Sequence, residues 1–157
     1  MAAPAVPLPR DESGYPPAAV DIRTHHALDR ELCGTPVALA EGTATVSLVT
    51  TSRMQADAHG LVHGGFVFGL ADYAAMLAVN HPNVVLGSAN VRFTAPVALG
   101  QRLRARAVLV REAGRRREVE VEVTVIADTP DTPDDIVLAG TFHCAVLDRH
   151  VLERGDA

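Results

Sequence analysis

The chain has 157 residues, 48% of them hydrophobic but only 4% aromatic and none of them tryptophan, so one domain with a core of valine, leucine and alanine is expected. A formal charge of −5 and the lack of any nucleic-acid motif argue against a nucleic-acid surface. No apolar run reaches the ~20 residues of a membrane span, and the first residues lack the basic region and apolar core of a signal peptide. Cys33 and Cys144 are unclustered and suit buried thiols, which makes a cytoplasmic protein the expectation.

Residues 1–22, rich in proline and alanine, read as a flexible or draped arm, 23–150 as the single domain, and 151–157 as a tail. A short helix is expected over 25–33, stopped by Gly34 and Pro36, with Leu28 and Leu32 on one side. His25 and His26 are adjacent and do not share a helix face, so they read as surface residues rather than metal ligands. Strands follow at 37–40 and 43–50 around a Glu41-Gly42 turn, and the second alternates Ala44, Val46 and Leu48 with Thr43, Thr45 and Ser47.

A glycine-rich loop, residues 57–65, then feeds a helix over 66–79 that is apolar almost all round. Such a helix has no solvated face and belongs inside the protein. Asp72 is its anomaly, because a carboxylate in an apolar interior costs several kcal/mol unless it is hydrogen-bonded, protonated or beside water. It is either an acid/base group or a structural acid satisfied by a buried polar group. Gly64 and Gly65 favour the first reading: free N–H groups and the positive end of the helix dipole suit a developing oxyanion, and two glycines let a ligand approach the backbone. Donor and carboxylate together suggest hydrolysis at a carbonyl. Gly65 and Asp72 are seven residues apart, about 10 Å along a helix at ~1.5 Å per residue. One carbonyl cannot touch both, so the reading requires a homodimer with its sites at the interface.

His81-Pro82-Asn83 breaks the helix, and 84–94 reads as a strand ended by Pro96. Its Ser88 and Asn90 share a face and either line the pocket near Asp72 or are ordinary strand residues. Strands 101–111 and 117–126 are joined by a turn around Gly114. Pairing Arg106 with Glu120 and Arg104 with Glu122 closes that turn at Ala113 and sends Ala105, Ala107, Leu109, Val119, Val121 and Val123 inward. The arginine stripe then reads as a solvated face, whereas Arg115 and Arg116 in the turn, with Arg117, carry more charge than Glu112 and Glu118 balance and are the better anion-binding candidates. The acidic repeat at 128–135 lacks the spaced ligands of a calcium loop and reads as a solvated hairpin connection. The last strand, 136–147, is apolar on both faces apart from Thr141 and His143 and is expected inside the sheet.

One buried helix followed by long antiparallel strands resembles the hotdog fold, an α+β architecture in which a long antiparallel sheet wraps one central helix. Across Asp57 to Asp72 the sequence resembles the phenylacetate-pathway and Arthrobacter-type hydroxybenzoyl-CoA branch of hotdog acyl-CoA thioesterases, in which Asn-x-x-Gly-x-x-His-Gly-Gly precedes an acid nine residues after the histidine. Gly60, His63, Gly64, Gly65 and Asp72 all fall on that pattern. The resemblance implies that Asp72 is general base or nucleophile, that the Gly64 N–H polarises the thioester carbonyl from the opposite subunit, and that His63 orients the loop and reaches towards the thioester.

Asp57 stands where the family has asparagine. An ionised Asp57 accepts hydrogen bonds and cannot donate, so it is protonated in place, or it points elsewhere with His59 or His63 as donor, or catalysis is weak. A coupled titration with Asp72 is a further possibility. His59 and His63 have the spacing of a helical metal pair, but the loop setting and Gly60 argue against it. Gly65 and His59 are candidates for substrate contact; Tyr73 and Met76 shape an acyl pocket or, by default, pack the core. The implied function is hydrolysis of a small or medium acyl-CoA by a homodimer or homotetramer, with no metal or redox cofactor and coenzyme A only as part of the substrate. The alternatives are a non-catalytic acyl-CoA-binding hotdog protein and a hotdog hydratase or dehydratase.

Overall fold

A computed structural model describes residues 20–153. The expected arm, apart from residues 20–22, and the end of the expected tail lie outside the described residues. Helix α1, Arg30–Cys33, begins where the Asp29 carboxylate accepts from the Glu31 and Leu32 N–H groups at 2.9 and 3.2 Å. It is much shorter than the helix expected over 25–33, because His25 takes a left-handed backbone, φ 57°, and Asp29 starts the helical turn only after it.

Strands β1, Thr35–Ala40, and β2, Thr43–Val49, form the expected hairpin, with Gly42 at φ 75° in the turn. Ala44, Val46 and Leu48 are buried, as their alternation predicts. Helix α2, Gly64–Val79, is the central element, with Leu70, Ala71 and every residue from Tyr73 to Ala78 buried. It ends at Asn80 in the left-handed conformation, φ 51°. The Asn80 side chain donates to the Asp21 carbonyl and accepts from the Arg23 N–H, both at 2.8 Å, which ties the incoming chain to the helix end.

Four long strands complete the sheet: β3, Val84–Phe93; β4, Arg102–Ala113; β5, Arg116–Val125; and β6, Asp135–Val146. All pairings are antiparallel, in the order β1-β2-β4-β5-β6-β3. Strand β6 is therefore flanked on both sides, as its two apolar faces predict. Helix α2 lies chiefly over β2, β4 and β5, leaving the inner face of β3 and β6 less covered. The two edges differ. Strand β1 carries Pro36 and an irregularity between Pro36 and Ala38, both of which interrupt a hydrogen-bonding edge. Strand β3 spans 10 residues with no proline, and its outer edge has no partner strand among the described residues.

The expected register of β4 with β5 is corrected by two residues. Arg106 pairs with Glu122, Arg104 with Thr124, and Val108 with Glu120. The turn is tighter than expected, Gly114-Arg115 with Gly114 at φ 60°, so Ala113 pairs with Arg116; a bulge between Leu109 and Arg111 then moves the register by one. A shift of two preserves faces, and Ala105, Ala107, Val119, Val121 and Val123 are indeed buried, with Leu109 packed against them. Arg104 instead forms an ion pair with Asp134 at 3.2 Å.

Candidate active site

Asp72 sits on the face of α2 turned towards β6, one turn after Phe68, whose ring stacks on Phe142 of β6 at 5.4 Å. One of its carboxylate oxygens is fully enclosed and has no hydrogen-bond partner among the described residues. Burial pushes its pKa up from 3.8 to about 6. Burial raises both cysteine thiols, with the Asp72 charge adding to the effect; for Cys144 the result is about 12. The thiols beside Asp72 are therefore protonated and poor nucleophiles.

At the other end of α2 no side chain caps the helix, and the Gly64 N–H has no acceptor among the described residues. The preceding loop is held from both sides: the His63 N–H donates to the Met54 carbonyl and the Val62 N–H to that of Val97, both at 2.8 Å. The His63 ring folds back over Gly65 and meets Phe66 edge-on, centroids 6.2 Å apart. A Cβ at Gly65 would lie 3.0 Å from the His63 Nε2, so only glycine leaves the ring where it is. Asp57 is turned into its own loop, where Oδ1 accepts from the His59 N–H at 2.9 Å and the Leu61 N–H at 3.2 Å. Its carboxylate acts as a loop clasp, with Gly60 at φ 82° completing the turn. His59 is exposed beside it.

The other expected site residues lie apart from this line. Ser88 and Asn90 do share a face, but it is the outer one: they pair with His143 and Thr141, while the alternate residues Ala89 and Val91 pair with Phe142 and Gly140 on the helix side. Within one chain they do not line a pocket with Asp72. Met76 is buried at 1% exposure and packs the core. Arg115, in the β4–β5 turn, is ion-paired with Asp148 just beyond the end of β6, a partner too distant in sequence to have been counted. Arg117 pairs with Glu112 at 2.8 Å and donates to the Gly114 carbonyl. Arg116 is exposed and has no ion-pair partner among the described residues. No cluster of metal-ligating side chains occurs among the described residues, and no described helix is long and apolar enough to cross a membrane.

Sequence reasoning missed Phe93, whose ring rests on Gly64: a Cβ there would lie 3.3 Å from its Cε1. Nothing in the local sequence marks it, because the contact joins positions 29 residues apart.

Residues 59–130 match the family model of the thioesterase superfamily. Among solved structures, the protein PH1136 of Pyrococcus horikoshii superimposes with a TM-score of 0.78 at 50% identity, covering 85% of this chain and 98% of that one. An Asn-to-Asp mutant of the phenylacetic acid degradation protein PaaI from Thermus thermophilus superimposes at 0.64 with 32% identity, covering 75% and 97%. Among curated proteins, the methylthioribose-1-phosphate isomerase of Aquifex aeolicus is 53% identical over 103 residues, 66% of this chain. The chain spans 23% of that isomerase and 56% of the FapR transcription factors it also matches. With the motif on pattern, six antiparallel strands around one long helix, and near-complete coverage of a PaaI structure, the chain belongs to the thioesterase superfamily and has its hotdog fold.

Proposed function

We propose that the protein is an acyl-CoA thioesterase, acting as a homodimer or homotetramer in the cytoplasm. One observation carries the reading: a half-buried carboxylate, one oxygen of which has no hydrogen-bond partner among the described residues, with its pKa near 6 on the same helix as an uncapped, glycine-built N-terminus. In this reading the thioester oxygen accepts from the Gly64 N–H of one subunit while Asp72 of the other takes a proton from an attacking water. The water oxygen bonds to the carbonyl carbon, the C–S bond breaks, and the proton held by Asp72 passes to the departing thiolate. A direct attack by the carboxylate, with water then cleaving the anhydride, uses the same groups. General-base assistance is worth ~10²–10⁴ in rate and an oxyanion donor ~10²–10³. His63, folded over Gly65, holds the loop, and Gly65 lets the substrate approach the helix end.

Helix geometry supports a two-subunit arrangement, since Gly64 and Asp72 are about 12 Å apart along the axis. The free edge of β3, beside the less covered inner face, is where a second copy would complete the site. Arg116 is the remaining candidate for a phosphate of coenzyme A.

The test is free thiol release from a panel of acyl-CoAs. Activity should rise with pH through about 6, because the base works only when ionised and its burial has raised its pKa. A rate that is flat from pH 5 to 8, with release established, would remove Asp72 from the base role. Asp57→Asn should raise the rate, since asparagine keeps the acceptor that clasps the loop and adds a donor; an unchanged rate would mean that Asp57 serves the loop alone. Saturable acyl-CoA binding with no thiol release would favour a non-catalytic ligand-binding protein, and a product with a new double bond a dehydratase.

A further inference from the structure

Beside the helix N-terminus lies a cavity of about 410 Å³ between the start of α2 and segment 93–97. Its walls are apolar, chiefly Val62, Val67, Phe93, Val97 and Val137, and Gly64 forms part of its lining. Thr94 brings the one polar side chain, and its hydroxyl is already committed to the Ile136 carbonyl at 2.6 Å. Among the described residues no charged side chain lines the space. Phe93 is its largest wall and, among the described residues, its only aromatic one, 55% exposed and carried by the end of an edge strand. It lies outside the core of the single chain, at the end of the edge where a second copy would complete the site, so its size can change without opening the interior of the fold.

We propose that this cavity holds the acyl group of the thioester, that the group is an uncharged hydrocarbon, and that Phe93 determines the length accepted. The inference rests on the thioesterase reading. A carbonyl oxygen at the Gly64 N–H places the first acyl carbons at the mouth of the cavity, where each further methylene trades water for apolar walls. A chain ending in a second carboxylate would bring a charge to walls whose described residues offer it no cation and no free donor. Phe93, seated on Gly64, stands between the reacting end and the rest of the space, so a smaller side chain lengthens the channel and a larger one shortens it.

The experiment measures kcat/KM for thiol release from straight-chain acyl-CoAs of about two to twelve carbons and from malonyl- and succinyl-CoA. Wild type, Phe93→Ala and Phe93→Trp are compared, and binding of the same compounds to Asp72→Asn and to Asp72→Asn/Phe93→Ala is followed by calorimetry. The preferred chain should lengthen in Phe93→Ala and shorten in Phe93→Trp, the ratio of long- to short-chain kcat/KM moving about tenfold or more in opposite directions. Succinyl-CoA should fall about a hundredfold below butyryl-CoA. Identical chain-length profiles in all three proteins, or equal use of succinyl- and butyryl-CoA, would overturn the proposal while leaving hydrolysis intact. If no thiol is released but the binding preference still shifts with Phe93, the cavity assignment stands and hydrolysis falls; neither release nor binding sinks both.

Discussion

Asp72→Asn should lower kcat by about 10²–10⁴ and at the same time make the protein more stable above neutral pH. The two effects have one cause. Burial raises the Asp72 pKa to about 6, so the folded state holds the proton more tightly than the unfolded chain does. The stability this contributes is fully present below the unfolded value, near 3.8, and is lost as pH rises through about 6. Asparagine never ionises and escapes that loss. Allowing for partial exposure, the gain is on the order of 2 kcal/mol, or about 5 °C in Tm for a chain of this length. Thermal denaturation at pH 8 and at about pH 3 checks it, since the difference between the two proteins should vanish below the unfolded value. A variant that melts below wild type at pH 8 would show that the carboxylate has a structural partner, and the acid/base assignment would lose its physical basis. Function is then obtained against stability, as expected of a group poised for proton transfer.

Gly140→Ala should be the most damaging single methyl in the sheet. Gly140 lies in β6 opposite Val91 of β3 and Val121 of β5, and a Cβ there would stand 2.2 Å from the Asn90 carbonyl oxygen and 2.7 Å from the Val91 Cα. These are backbone atoms and cannot rotate away. Strand β3 must shift off β6, at a cost of ~3 kcal/mol or more, which corresponds to a Tm loss of about 10 °C. Hydrogen exchange should localise the damage, with β3 amides losing protection before those of β1 and β2. A Tm within about 2 °C of wild type would mean that the strands are not held this close. Because β3 ends at Phe93, the same change should also loosen the wall of the cavity beside Gly64.

The contrast between these residues shows what the sequence could disclose. Asp72 was legible because a single acid in an apolar helical run violates a strong local pattern, and Gly64-Gly65 because glycines at a helix start have few other uses. The alternation in β2 and β5 correctly assigned every inward side chain. Register was a different matter: charge pairing across β4 and β5 contributes only tenths of a kcal/mol to about 1, and a tight Gly114-Arg115 turn with one bulge outweighed it. The outward orientation of Ser88 and Asn90 depended on which face of β3 the helix covers, and the partner of Arg115 on where Asp148 returns after β6. Both are set by tertiary pairing, which a local pattern does not carry. The clasp made by Asp57 was open in the sequence between several roles, and its hydrogen bonds to the His59 and Leu61 N–H groups now describe one.

The unequal edges of the sheet bear on how large an assembly can grow. A chain with two open edges can add copies head to tail without end, as fibres do. Here Pro36 and the kink after it obstruct one side, while β3 leaves the other open. A pair formed across two β3 strands would satisfy both open edges at once and present only obstructed ones to the next molecule. Association by strand pairing would therefore terminate itself at two chains, which protects a long, lysine-free sheet from polymerising at the concentrations a cell holds.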